Sequence, residues 1–286
     1  MTEDVRRQAI ELYDRFTHEG MERRLFMRRM ITLAGSVAAA EALIGVIAAA
    51  PAAAAIVPGD DPRLTAADTT LANGYRAYVA EPRTRSLKPT VMVIHENRGL
   101  NDHIRDVARR VALAGYRAVA PDFLSPSGGT PANEDVARDA IGKLDLGKSV
   151  GDAVNMLGEL AEASRGGKVG AVGFCWGGAF VNRLAVAAGD GLDAGVVYYG
   201  PAPDPAEAVK VQAPLMIHVP ELDDRVKATA WPWVKALRAA GKRVTAYNYP
   251  GANHAFNNNT SAERYDKAAA ELAWKRTLRF FRRHLG

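Results

Sequence analysis

Gly173-Phe174-Cys175-Trp176-Gly177-Gly178 constrains this chain more than any other stretch, and it holds the sequence's one cysteine. Lys168 to Val172 before it reads as a short buried strand, and Ala179 to Val186 after it reads as the start of a helix. A strand that turns sharply into a helix, with a single nucleophile at the turn between glycines, presents that nucleophile on a strained backbone above a sheet. Gly173 and Gly177 stand where a Cβ would collide with a chain turned so tightly. The helix that follows aims N–H groups and the positive end of its dipole at the sulfur. That favours a thiolate and supplies a donor for an oxyanion. An isolated cysteine is more often a small core hydrophobe. Its setting here predicts a nucleophile.

The rest of the body alternates strand and helix patterns. Gly74 to Val79 is expected as an early, half-polar, antiparallel edge strand. Thr90 to His95 is a continuous apolar run, the pattern of a central parallel strand. Asn101 to Ala114 predicts an amphipathic helix ended by Gly115. Further strands are expected over Arg117 to Pro121, Gly195 to Tyr199, Ala213 to Val219 and Arg243 to Tyr249. Helices are expected over Ser149 to Leu160, Trp231 to Ala240 and Ala262 to Leu285. Strands separated by helices predict an α/β fold, a doubly wound and mostly parallel sheet with helices on both faces. With 286 residues and 48% hydrophobic content, the chain suffices for one large domain over about 56–286. The polar loop Ser125 to Asn133 follows a strand's carboxyl end, where such sheets place ligands. A lone cysteine excludes an internal disulfide and a cysteine-based zinc site, and no metal or organic cofactor is implied.

A cysteine nucleophile needs a base, and the base needs a group that orients it. On a sheet that presents its nucleophile at such a turn, the acid and then the histidine follow it in the chain. Glu221-Leu222-Asp223-Asp224-Arg225-Val226 and Gly251-Ala252-Asn253-His254-Ala255-Phe256 both follow strands in that order. Of six histidines, His18 and His284 lie near the termini, His218 lies inside a strand, and His95 and His103 precede the cysteine. His254 is therefore the expected base. Asp223 is preferred to Asp224 as its partner, because Pro220 to Val226 has the spacing Pro-x-x-Asp-x-x-Val; Asp224 is then a solvated turn residue, paired with Arg225. His95-Glu96-Asn97-Arg98-Gly99-Leu100 follows the first core strand. Its Asn97 N–H, with that of Trp176, is expected to complete an oxyanion hole. Glu96 is unusual here, since an anion beside a thiolate disfavours it. Glu96 and Arg98 are read as groups of the site rather than as a surface ion pair.

Together the segments His95 to Asn101, Gly173 to Gly178, Glu221 to Val226, Tyr249 to Phe256 and Arg264 to Leu278 resemble the dienelactone hydrolase family, the carboxymethylenebutenolidases. The likeness runs from about Thr65 to the C-terminus. It is to the subgroup with a hydrophobic leader and a His-Glu-Asn-Arg-Gly-Leu-Asn loop. The resemblance implies an α/β-hydrolase fold, a catalytic set at Cys175, Asp223 and His254, and a small ester or lactone as substrate. It also implies that Glu96 gates the thiol and that substrate displaces it, releasing a thiolate–imidazolium pair. Family members that open dienelactone grip its carboxylate with two arginines. Ser125 and Asn258 occupy those slots here, and neither replaces a bidentate cation. A neutral ester or lactone is the expected substrate, or one whose anion is held elsewhere, by Arg98. A thioesterase or broad carboxylesterase is the alternative enzyme, and a catalytically silent binding protein of the same fold is the alternative outside catalysis.

The first 55 residues read differently. Arg23-Arg24-Leu25-Phe26-Met27-Arg28 resembles a twin-arginine export signal, followed by an apolar run from Met30 to Ala50 and the small-residue tract Ala52 to Ala55. An exported protein with a cleaved leader outside the catalytic fold is expected. An uncleaved membrane anchor and an amphipathic accessory segment of a cytoplasmic protein are the rivals, and Glu41 is costly inside a membrane. The formal charge of +5 is spread out, with seven arginines against six acids up to Met30. The basic terminal helix complements its own dipole, so no nucleic-acid partner is expected, and membrane contact is expected only through the leader.

Overall fold

The computed structural model describes residues 3–18, 21–47, 55–83, 89–164, 167–261 and 263–286. Three helices open the chain: α1 (Glu3–His18), α2 (Arg23–Ala34) and α3 (Val37–Ile47). Next come β1 (Leu64–Thr70), β2 (Arg76–Pro82), β3 (Thr90–Ile94), α4 (Asp102–Leu113) and β4 (Arg117–Pro121). Then follow α5 (Glu134–Ile141), α6 (Leu146–Ala163), β5 (Val169–Phe174), α7 (Trp176–Ala187) and β6 (Ala194–Tyr198). The chain closes with β7 (Leu215–Pro220), α8 (Asp224–Ala239), β8 (Val244–Tyr249) and α9 (Lys267–His284).

The eight strands form one sheet in the order β1-β2-β4-β3-β5-β6-β7-β8. The β1–β2 and β2–β4 pairs are antiparallel, and every pairing from β4 to β8 is parallel. Every residue of β3, β5, β6 and β7 is buried, as helices on both faces require of a parallel sheet. The period-two alternation divides the core. Val91 and Val93 point to the cluster with α4 and α9, whereas Met92 and Ile94 point to the cluster with α6, α7 and α8. This is the α/β-hydrolase fold.

Two registers decide where the chemistry sits. Ile94 pairs with Gly173, so β3 and β5 end level and deliver the loops carrying Glu96 and Cys175 side by side. Pro220 pairs with Tyr249, so β7 and β8 do the same for Asp223 and His254.

The observed elements depart from sequence expectation at several points. The early strand lies at 76–82, and the edge belongs instead to β1, an element with only Leu64 buried and so no legible periodicity. Helix α8 begins seven residues earlier than expected and keeps Pro232 inside it. Helix α9 begins at Lys267, with the Asp266 side chain capping it through the Ala269 N–H at 3.0 Å.

The expected leader is folded where it is described. Ile10, Tyr13, Phe16, Phe26, Met30, Leu43 and Ile47 make a small core of their own, with the Phe16 and Phe26 rings stacked 4.2 Å apart. Among the described residues no single helix is long and apolar enough to cross a membrane; α2 and α3 together are, but they bend by 105°. Ala52 to Ala54 of the small-residue tract lie outside the described residues.

Candidate active site

Strand β5 delivers Cys175 at φ 54°, ψ −113°, a backbone that a side-chain-bearing residue adopts only when its surroundings enforce it. The surroundings do. A Cβ on Gly173 would lie 2.0 Å from the Gly177 carbonyl oxygen, and one on Gly177 would lie 2.4 Å from that of Ile94. Glycine is the only residue that fits at either position. The Cys175 N–H donates to the Tyr198 carbonyl at 3.0 Å, which ties the turn to β6. Cys175 is 4% exposed. Trp176 opens α7, where first-turn N–H groups have no intrahelical acceptor.

His254 Nδ1 lies 2.6 Å from Asp223 Oδ2, which leaves Nε2 for the other side of the ring. The imidazole shares its pocket with Cys175, close enough for the charge of one to act on the other. Burial on its own lowers the basicity of His254, but the charges of Cys175 and then Asp223 outweigh it and push the pKa up to about 10. The Asp223 pKa is lowered despite its burial, by His254 first and then by Arg225 and the Val226 N–H. The Val226 N–H donates to Asp223 Oδ1 at 3.0 Å, so one carboxylate both caps α8 and faces the imidazole. The side chain of Asp224, one residue on, is 96% exposed and pairs with Lys227 at 2.7 Å, not with Arg225. Arg225 lies 3.6 Å from Asp223 instead.

The raised pKa of His254 makes its proton a stabilising ligand of the fold. That contribution is complete below its unfolded value near pH 6.5 and is lost as pH rises through about 10. The difference in unfolding free energy between the native chain and His254→Gln is therefore expected to shrink steadily from pH 6.5 to 10. Denaturant titrations giving a pH-independent difference across that range would contradict this.

On the facing loop, Glu96 is buried. Its Oε1 accepts from the Tyr199 hydroxyl at 3.3 Å and its Oε2 from Asn258 Nδ2 at 2.8 Å. Asn258 thus spends its amide on Glu96 in the slot where the resemblance expects an arginine for substrate. Ser125, in the other slot, is consumed locally: its Oγ donates to the Asp122 carbonyl at 2.6 Å and accepts from the Arg76 N–H at 2.8 Å. His95 is structural. Its Nε2 accepts the Phe123 N–H at 3.2 Å, which assigns the proton to Nδ1, 2.7 Å from the Glu96 carbonyl. Burial pushes its pKa down, and its ring stacks on Trp176 at 5.2 Å.

Glu96, Asn97, Arg98, Cys175 and His254 line one pocket with Asn258. It is tight, with about 20 Å³ of open space, room for roughly one water. Sequence reasoning missed four of its walls: Tyr13, Thr17, Glu134 and Arg264. It also missed Tyr199, whose place in an apolar run reads as core. Arg98 reaches Asp135 at 3.2 Å and the Tyr13 hydroxyl at 2.8 Å. Burial pushes the Glu134 carboxyl up, against the pull of Arg98. Among the described residues, no three His, Cys, Asp or Glu side chains are grouped to hold a metal ion.

Comparison with known proteins agrees with this architecture. A candidate carboxymethylenebutenolidase of Escherichia coli is 31% identical over 261 residues, covering 84% of this chain and 94% of that one. One from Saccharolobus solfataricus is 31% identical over 251 residues, covering 73% and 93%. The crystal structure of a candidate dienelactone hydrolase from Klebsiella pneumoniae superposes with a TM-score of 0.69 at 27% identity, over 77% of this chain and 98% of that one. The model of the dienelactone hydrolase family matches residues 75–285, from β2 to the end of α9 and so across both loop pairs that frame the pocket. By that match, and by relatives aligned over nearly their whole length, the chain belongs to the dienelactone hydrolase family.

Proposed function

We propose that this chain hydrolyses a small ester or lactone, with Cys175 as nucleophile, His254 as general acid–base and Asp223 as its orienting carboxylate. The observation that carries the reading is the 2.6 Å contact of Asp223 with His254 Nδ1, on an imidazole that lines the same pocket as Cys175. The thiolate attacks the carbonyl carbon, and the tetrahedral oxyanion accepts from the N–H groups of Trp176 and Asn97. Collapse breaks the carbon–oxygen bond of the leaving alcohol, which takes the proton from His254 Nε2. The thioester that remains is cleaved by a water deprotonated by the now neutral His254, releasing the acid and restoring the thiol. Amides leave far less readily without strong protonation, so esters are the reaction class. In the resting state Glu96 is held by Tyr199 and Asn258. A substrate that displaces those contacts frees the thiolate–imidazolium pair.

A neutral substrate follows from the charges. Arg98 and Arg264 in the pocket are offset by Glu96 and Glu134, so no net attraction for an anion remains. A neutral lactone is expected to be opened with a kcat/KM at least about tenfold above that for cis-dienelactone, the worth of one missing charge-assisted contact. Equal rates in a panel of neutral and carboxylate-bearing lactones would overturn this. The reaction class is tested by titrating the chain with a thiol-directed reagent while following nitrophenyl acetate. Turnover is expected to fall in step with modification of Cys175, and undiminished turnover in the fully modified protein would refute the thiol mechanism.

A further inference from the structure

We infer that the N-terminal helices are a retained cap, in which Tyr13 and Thr17 form the outer wall of the active-site pocket and limit the size of the acyl group it admits. The inference rests on the reading of Cys175 as an ester-cleaving nucleophile. Tyr13 and Thr17 line the same pocket as Cys175 and His254. Tyr13 is 4% exposed and sits between two cations of that pocket: its hydroxyl accepts from Arg98 at 2.8 Å, and the Arg264 guanidinium lies 5.3 Å from its ring centroid. The Thr17 carbonyl accepts from the side chain of Asn97, on the expected oxyanion loop, at 3.2 Å.

The cap is anchored at widely separated points of its own sequence. Arg23 meets Asp135 at 2.6 Å, and Asp135 also holds Arg98. The Arg138 guanidinium lies over the Phe16 ring at 4.4 Å. At the far end, the Ile47 carbonyl accepts from the buried Ser261 hydroxyl at 2.8 Å. A segment needed only for export gives no reason for a buried tyrosine between two arginines of the active site, nor for an aromatic core of its own. With the cap seated, about 20 Å³ is open beside the sulfur. That wall excludes bulk water, which strengthens every polar interaction within, and leaves no room for a long acyl chain. Once a substrate has displaced the contacts of Glu96 with Tyr199 and Asn258, short, compact acyl groups are the class this wall admits.

The test uses the full chain and nitrophenyl acetate against nitrophenyl hexanoate. Tyr13→Ala is expected to raise the hexanoate-to-acetate ratio of kcat/KM roughly tenfold or more, the scale of discrimination a hydrophobic wall provides. Tyr13→Phe, which keeps the wall and loses only the hydroxyl, is expected to keep the native ratio. A second readout does not depend on turnover: the rate of Cys175 alkylation by a bulky maleimide relative to iodoacetamide. It is expected to rise about tenfold in Tyr13→Ala. Unchanged ratios in both assays, or a mature chain whose mass shows that residues 1–47 have been removed, would overturn the cap. Should the native protein turn over no ester, the nucleophile reading fails, and the alkylation ratio still decides the cap.

Discussion

Cys175→Ala is expected to lower kcat/KM for nitrophenyl acetate by on the order of 10⁴-fold or more, while the protein still folds. The size of the effect follows from the kind of group removed. A nucleophile, its base and the orienting carboxylate act as a unit, so deleting the nucleophile forfeits nearly everything that the set contributes beyond binding and oxyanion stabilisation. Folding is spared because the strain at the turn is a backbone property. Alanine carries the same Cβ as cysteine at φ 54°, and the clearances at Gly173 and Gly177 do not change. Loss of the sulfur also removes a charge that raises the pKa of His254, so the base of the variant titrates lower. Steady-state kinetics alongside a thermal melt check this. A well-folded variant with more than about a tenth of native activity would remove Cys175 from the mechanism.

How much of this was legible in the sequence depended on how local each constraint is. The turn around Cys175 is specified within six residues, because two backbone clearances demand glycine at fixed offsets. The segment carrying Asp223 was legible for a related reason, since it follows a wholly buried strand whose apolar run ends abruptly; the one carrying His254 follows β8, of which only Tyr249 is buried, and was legible from its place in the chain order. The start of α8 was not legible, because Trp231-Pro232 imitates the proline-bearing first turn of a helix, whereas the true cap is Asp223. One side chain there both caps the helix and contacts the His254 imidazole, and propensity shows neither. Edge strand β1 buries too little to leave a pattern. Tyr13 and Thr17 were hidden most completely. They reach Arg98 and Asn97 across 85 and 80 residues of chain, and nothing in the periodicity of an arginine-rich amphipathic segment announces a tertiary contact of that span. Composition pointed to a leader; packing adds contacts with the pocket.

The adjacent pair Asp223-Asp224 offers the sharpest separation of a catalytic role from a structural one. Asp223→Asn is expected to reduce kcat by about 10³- to 10⁴-fold with little change in KM, because the amide presents its neighbours with the wrong hydrogen-bonding pattern. A carboxylate holds His254 with its proton on Nδ1 and stabilises the imidazolium; an asparagine offering N–H groups favours the opposite tautomer and turns the lone pair away from the sulfur. Asparagine is also a competent N-cap, so the bond to the Val226 N–H persists and α8 is not undone. Alanine at this position confounds the two roles, since it loses the cap at a cost of about 1 kcal/mol. Asp224→Asn touches only an exposed pair with Lys227, whose contribution falls within the small range of surface ion pairs. It is expected to stay within about twofold of native in kcat and to leave the melting temperature unmoved. If the loss instead follows Asp224, or both variants keep full activity, the carboxylate 2.6 Å from His254 is a helix cap alone, and the imidazole takes its orientation from some other neighbour.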